Sequence, residues 1–141
     1  MELGVPAHHI ILGFDFGLKR IGVAVGQSIT QSANPLVVLP AKNGIPNWHD
    51  IKKLIDEWGI DALVVGLPLN MDGTEQPITE RARLFGQQLK THFQLTVYFM
   101  DERLTTVAAR DEMHAQLKGA ARFDRADSMS AKLIIESWMR K

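Results

Sequence analysis

The stretch Ile10-Ile-Leu-Gly-Phe-Asp-Phe-Gly17, followed by Leu18-Lys-Arg20 and then Ile21-Gly-Val-Ala-Val-Gly26, decides the reading of the fold. Both flanking runs are short and rich in aliphatic residues, as strands are. The segment Gly17-Leu-Lys-Arg20 between them reads as a hairpin connection. The chain therefore opens on two antiparallel strands. A third run, Pro35-Leu-Val-Val-Leu39, ends at Pro40, and Lys42-Asn-Gly-Ile-Pro46 is a loop by its turn residues.

Beyond that loop the period changes to that of helices. Asn47 with Asp50 three residues later resembles a capping box, and Trp48, Ile51, Leu54, Ile55 and Trp58 recur at helical spacing before Gly59, so a helix is predicted over about 48–58. Ala62-Leu-Val-Val-Gly66 is a continuous apolar run, the pattern of a parallel strand covered on both faces. A second helix is predicted from near Thr74, with Pro77 in its first turn and Ile78, Ala82, Phe85 and Leu89 on one stripe. Leu95–Met100 is a fifth strand, Thr105 opens a third helix to about Leu117, and the loop 119–124 leads to a last helix running almost to Lys141. The order β-β-β-α-β-α-β-α-α describes one domain over residues 1–141. It is a mixed five-stranded α/β sheet flanked by about four helices, because a helix between two strands imposes a right-handed parallel crossover. With strands one, four and five parallel, their C-terminal ends share an edge, where sites in open α/β sheets form. Asp15, the Gly66 to Thr74 loop and Asp101-Glu102 converge there.

Composition bounds the function. The 141 residues, 45% hydrophobic and 23% charged, are those of a soluble globular protein, and sixteen Lys plus Arg balance sixteen Asp plus Glu. Any polyanion site must then be local. The absence of cysteine excludes disulfides, thiolate zinc and a cysteine nucleophile, and fits the cytoplasm. Met1–Ile10 has no Lys or Arg, so a secretory leader is not expected, and no apolar run approaches the roughly 20 residues of a membrane span.

Three acids stand where ordinary loop chemistry does not require them. Asp15 lies among aliphatic and aromatic residues, where an unpaired carboxylate would cost several kcal/mol, so it either closes the hairpin through backbone N–H groups or holds a metal. One of Asp101 and Glu102 points into the cleft and the other away, by the strand period; either also suits a plain ion pair with Arg103. Asp127 falls beside Ile134 and Trp138 at the margin of a stripe formed by Ala126, Met129 and Leu133, with small Ser130 and Ala131 one turn on; it reads as inward-facing or as a first-turn acid with Asp124 as cap. Three carboxylates gathered this way suit Mg²⁺ or Mn²⁺, hard ions that take oxygen ligands.

Other chemistries find no support. The histidines His8, His9, His49, His92 and His114 lack zinc spacing, the first pair reading as a flexible terminus, and there is no P-loop or dinucleotide fingerprint. Basic residues sit near each acid: Lys19 and Arg20 after Asp15, Arg103 and Arg110 after Glu102, and Lys118, Arg122 and Arg125 before Asp127. They suit phosphate contacts or simple neutralisation, and Lys19, Arg20 and Arg103 are the preferred substrate-binding residues. The Gly66–Gly73 loop reads as a turn at Asp72-Gly73 whose backbone is open to a phosphate. Trp48, Trp58 and Trp138 lie on apolar helix stripes as core anchors.

The blocks Asp15-Phe-Gly-Leu-Lys-Arg20-Ile-Gly22-Val-Ala, Gly66-Leu-Pro68-Leu-Asn-Met-Asp72-Gly73, Asp101-Glu-Arg-Leu-Thr-Thr106 and Asp127-Ser-Met-Ser-Ala131, in this order and spacing, resemble the signature blocks of the bacterial YqgF-type family over nearly the whole chain. The resemblance implies a ribonuclease H-like sheet of order 3-2-1-4-5 with strand two antiparallel. It also implies Asp15, Glu102 and Asp127 as catalytic metal ligands, and phosphodiester hydrolysis by two ions about 4 Å apart. The substrate implied is structured nucleic acid: the 5′ end of precursor 16S rRNA in ribosome biogenesis, or alternatively a Holliday junction in branched DNA.

Two other readings stay in view. Gly-Phe-Asp-Phe-Gly before a hairpin also resembles the phosphate loop of actin-like and sugar-kinase ATPases, but those clamp nucleotide between two such domains and this chain supplies one. A non-catalytic RNA-binding assembly factor would keep the acids for structure. A resolvase works as a symmetric pair, whereas single-site RNA processing proceeds as a monomer, so a monomer or weak homodimer is expected.

Overall fold

The computed structural model describes residues 9–102 and 119–140, the side chains of 119–127 excepted. Strand β1 (Ile10–Asp15) pairs antiparallel with β2 (Arg20–Gln27), which pairs antiparallel with β3 (Ser32–Lys42); a two-residue β4 (Ile45–Pro46) caps the end of β3. Helix α1 (Trp48–Trp58) leads to β5 (Ala62–Leu67), α2 (Pro77–Phe93) to β6 (Thr96–Asp101), and α3 (Gly119–Arg140) completes the described elements. The sheet order is β4-β3-β2-β1-β5-β6, with β5 parallel to both β1 and β6. The expected order 3-2-1-4-5 is preserved, with β4 added at the edge. The third helix expected over 105–117 lies outside the described residues.

Local chemistry explains most boundaries. Asn47 caps α1 by accepting from the His49 N–H at 3.0 Å, and Gly59 ends it at φ 62° with its N–H bonded to Ile55. Three expected boundaries move. The third strand runs through Pro35 and Pro40 to Lys42, because β4 covers only its last two residues and Pro35 pairs Ala24 at a register shift; prolines are tolerated at such edges and bulges. The second helix starts at Pro77 rather than near Thr74, since Asp72 bonds the Thr74 N–H at 3.0 Å and its hydroxyl at 2.6 Å and so folds Thr74 into the preceding turn. The last helix begins at Gly119, absorbing the expected loop 119–124, whose Ala120-Ala121-Arg122 are strong helix formers.

The sheet has two covered faces. On one, α1 and α2 pack over Leu12, Phe14, Val23, Leu63 and Val65, with Phe85 set edge-on to Phe14 at 5.4 Å. On the other, α3 lays Ile134 and Trp138 on Ile11, Val64 and Met100, and Ile135 on Ala24 and Ala33. Close approach of α3 requires glycine beneath it: a Cβ on Gly13 or Gly26 would stand 2.3 Å or 2.6 Å from Ile135 side-chain carbons. The buried stripe of α3 is Ala131, Ile134, Ile135 and Trp138, so the expected stripe through Met129 and Leu133 is rotated; both of those are only partly buried. Trp48 and Trp138 anchor packing as expected, but Trp58 is 38% exposed at the last turn of α1. His9 is likewise not a loose end, its N–H bonding Ser28 Oγ and its carbonyl accepting from the Ser28 N–H, both at 2.9 Å.

Candidate active site at the C-terminal strand edge

Asp15 is the last residue of β1, paired across β2 with Gly22 and half-buried. Ile11 packs against α3, and Gly13 sits under Ile135. Two residues further on, the strand period turns Asp15 to that same face. The parallel pairing Phe14↔Val65 brings Asp15 level with Gly66 at the next step, and Gly66 pairs with Met100 of β6.

The side chain of Glu102 lies over Gly66. A Cβ built there would be 2.9 Å from Glu102 Cγ, 3.0 Å from its Cδ and 2.5 Å from Ile134 Cδ1. The alternative left open by the sequence is thereby decided. Met100 joins the cluster beneath α3, Asp101 turns to the opposite face, and Glu102 returns to the face of Asp15. Asp15 and Glu102 thus share one face and one edge, with Gly66 between them as the floor. Gly66 is the site residue that sequence reasoning missed as such. Its signal was a glycine within an otherwise apolar strand, which marks close approach by another group.

Asp127 lies in the early part of α3, and its side chain falls outside the described residues; Arg103 falls outside them altogether. Among the described residues, no group of three or more His, Asp or Glu side chains is gathered closely enough to hold an ion. Lys19 and Arg20 are exposed on the β1–β2 hairpin at this edge. The loop after β5 is a self-contained turn. Leu69 bridges Glu75, the Gly73 N–H bonds the Asn70 carbonyl at 2.9 Å, and the Asn70 N–H bonds that of Thr74 at 2.9 Å. The Gln76 N–H is taken by Thr79 Oγ1 at 3.0 Å, and Pro77 has none. The N–H groups of Asn70, Gly73, Thr74 and Gln76 are spent inside the loop, and Asp72 is the turn residue expected.

Sheet order and the crossing of α3 define a ribonuclease H-like α/β protein. The fold is shared with Thermus thermophilus RuvC solved with a Holliday junction (TM-score 0.57, 14% identity, 94% of this chain and 96% of that one). It is also shared with the yeast mitochondrial Holliday junction resolvase Ydc2 (TM-score 0.55, 9% identity, 94% and 78%). Residues 9–141 match the family RuvX, described as Holliday junction resolvase, and the chain belongs to that family. Relatives named "Putative pre-16S rRNA nuclease" include one from Aeromonas salmonicida, 53% identical over 133 residues covering 93% of this chain and 94% of the relative. Another, from Shewanella denitrificans, is 55% identical over 130 residues covering 91% and 92%.

Proposed function

We propose that this chain is a metal-dependent nuclease that hydrolyses phosphodiester bonds in structured nucleic acid, its principal substrate being the 5′ end of precursor 16S rRNA. The observation that carries this reading is the placement of Asp15 and Glu102 on one face at the ends of β1 and β6, the parallel strands on either side of β5, with Gly66 of β5 between them. Asp127 supplies the third carboxylate. It precedes Ala131 by four residues and Ile134 by seven, the spacing of one helix face, and both of those are buried against the sheet. Because Trp138 packs at Ile11 and the Ala131 carbonyl lies near Gly13, α3 runs toward the end of β1 as its numbering falls, so residue 127 continues toward Asp15.

The donor set consists of carboxylate oxygens, which suits Mg²⁺ or Mn²⁺ and disfavours softer ions. Bound divalent ions supply activation of water and stabilisation of the leaving oxygen, in a two-ion arrangement. The chain's own contribution is positional: Asp15 ends β1 and Glu102 directly follows β6, and Lys19, Arg20 and Arg103 orient the phosphate backbone without reading sequence. The reaction adds water across the P–O bond, leaving a phosphate on one fragment and a hydroxyl on the other.

Relatives named for precursor rRNA favour RNA; the family description and the resolvase neighbours favour branched DNA as the second reading. We place the protein in the cytoplasm as a single domain, monomeric or weakly dimeric; among the described residues no helix is long and apolar enough to cross a membrane. The test compares cleavage of a 5′-extended 16S precursor and of a four-way DNA junction, with Mg²⁺ or Mn²⁺, by wild-type and Asp15→Asn protein. Cleavage of the RNA that is lost in the variant supports the reading, whereas RNA retained uncut by both proteins makes this a binding factor.

A further inference from the structure

The cations of this neutral chain are not evenly matched by acids. Lys52 pairs with Asp56 at 2.6 Å, Arg83 with Glu75 at 2.8 Å and Lys132 with Glu136 at 3.9 Å. The corner built from the β1–β2 hairpin, the β3–β4 turn and the first turns of α2 differs. Residues 16–49 contain Lys19, Arg20 and Lys42 and no Asp or Glu, all three cations are exposed, and α2 adds Arg81. Among the described residues no carboxylate, the adjacent Glu80 included, forms an ion pair with Lys19, Lys42 or Arg81. Main-chain bonds fasten the corner together. The Lys19 carbonyl accepts from the Ala41 N–H and the Leu18 carbonyl from the Gly44 N–H, both at 2.8 Å, so Lys42 is held beside the hairpin. Arg81 Nη2 donates to the Asn43 carbonyl at 2.8 Å and to its side-chain oxygen at 3.2 Å. Both acceptors are neutral, so the guanidinium keeps its net charge, and these bonds leave three of its five N–H donors unused.

We infer that this corner is a track for the phosphate backbone of the substrate, with Lys42 and Arg81 as contacts beyond Lys19 and Arg20; the inference rests on the nuclease reading above. The track begins at the acids. Asp15 ends β1 just before the hairpin, and β3 lies two strands away in the sheet, a distance of about 10 Å. A backbone whose scissile phosphate sits at Asp15 therefore carries its next phosphates over the hairpin toward Lys42 and the start of α2, on the side away from α3. Cations that their own protein leaves without acid partners gain most from such a polyanion, because each contact releases a counterion condensed on the nucleic acid. The two kinds of cation divide the work. Lysine acts as a mobile point charge, whereas the Arg81 fork, fixed by Asn43, presents its remaining donors to a phosphate in one orientation. None of these groups needs to reach a base edge, so the track positions the substrate without reading its sequence.

The test is salt-dependent binding, read without cleavage. In an Asp15→Asn background, fluorescence anisotropy follows the affinity for a labelled RNA duplex, and for a DNA duplex of the same length, between about 50 and 200 mM KCl. Lys42→Gln and Arg81→Gln should each make the slope of log affinity against log salt shallower by about 0.9 on DNA, and should weaken both nucleic acids together. Lys53→Gln removes an exposed lysine of α1, outside the corner, and should leave the slope unchanged. Arg81→Lys keeps the charge and should keep the slope, which separates a phosphate contact from a purely structural bond to Asn43. Parental slopes in Lys42→Gln and Arg81→Gln, with or without a lowered melting temperature, would overturn the inference, as would an equal change in Lys53→Gln. The nuclease reading fails separately, through absence of cleavage by the wild type, which would leave these slope changes intact.

Discussion

Glu102 rests on Gly66, with its Cγ 2.9 Å and its Cδ 3.0 Å from the point where a β-carbon would stand. One missing methyl thus sets where the acid at the end of β6 lies relative to Asp15. Gly66→Ala should push Glu102 and Ile134 outward together. The expected cost is about 1–3 kcal/mol of stability, as for other overpacked sites, with a larger proportional loss in cleavage. Thermal unfolding beside a cleavage assay checks this, and parental cleavage in Gly66→Ala would remove the floor from the site.

Asp15→Asn and Glu102→Gln keep shape and remove charge. Each should lower metal-dependent cleavage by well over roughly 100-fold, more than the 10–100-fold that outer-shell changes cost, without lowering the melting temperature. Mn²⁺ at about 100 times its dissociation constant should stabilise the parent by about 2.7 kcal/mol. Calorimetry of either variant should show most of that gain gone, and a full gain would exclude the residue from the ion site.

Packing of α3 on the sheet gives a double-mutant test. Ile135→Ala empties a fully buried position and should cost about 2–5 kcal/mol. Gly13→Ala alone forces a methyl to 2.3 Å from Ile135 Cγ1 and should also destabilise. The pair should be less unstable than the sum of the singles, a coupling visible in denaturant midpoints. Strict additivity would mean that the two positions do not share that space.

Helix ends offer opposite signs from one conformation. Gly59 closes α1 at φ 62° with nothing within 4 Å of its missing Cβ, so Gly59→Ala should cost about 1–2 kcal/mol through backbone conformation alone. Gln94 closes α2 at φ 56°, and Gln94→Gly should be neutral to stabilising by up to about 1 kcal/mol. A destabilised Gln94→Gly would show that its side chain matters more than its backbone.

Much of this was legible before any coordinates. The hairpin at Gly17–Arg20, the Asn47 and Gly59 caps of α1, the buried run Ala62–Gly66 and the Ala82-Phe85-Leu89 stripe all follow from local periodicity and turn chemistry. The failures were local signals overruled by neighbours. Pro40 reads as a strand stop, yet β4 pairs only Ala41 and Lys42, so the outer side of β3 has no strand partner at Pro40 and a missing N–H costs little. Trp58 fits an apolar spacing, but it is the last residue of α1 and stays partly exposed there.

By itself the sequence determined the elements, their order and the short list of acids, because hydrophobic period and capping act over a few residues. Only the tertiary structure decided that Glu102 rather than Asp101 shares a face with Asp15, that Gly66 makes room for it, and that Arg81 of α2 meets Asn43 beside β4. Those outcomes depend on strand register and on the distance at which helices pack, quantities set jointly by segments far apart in the chain.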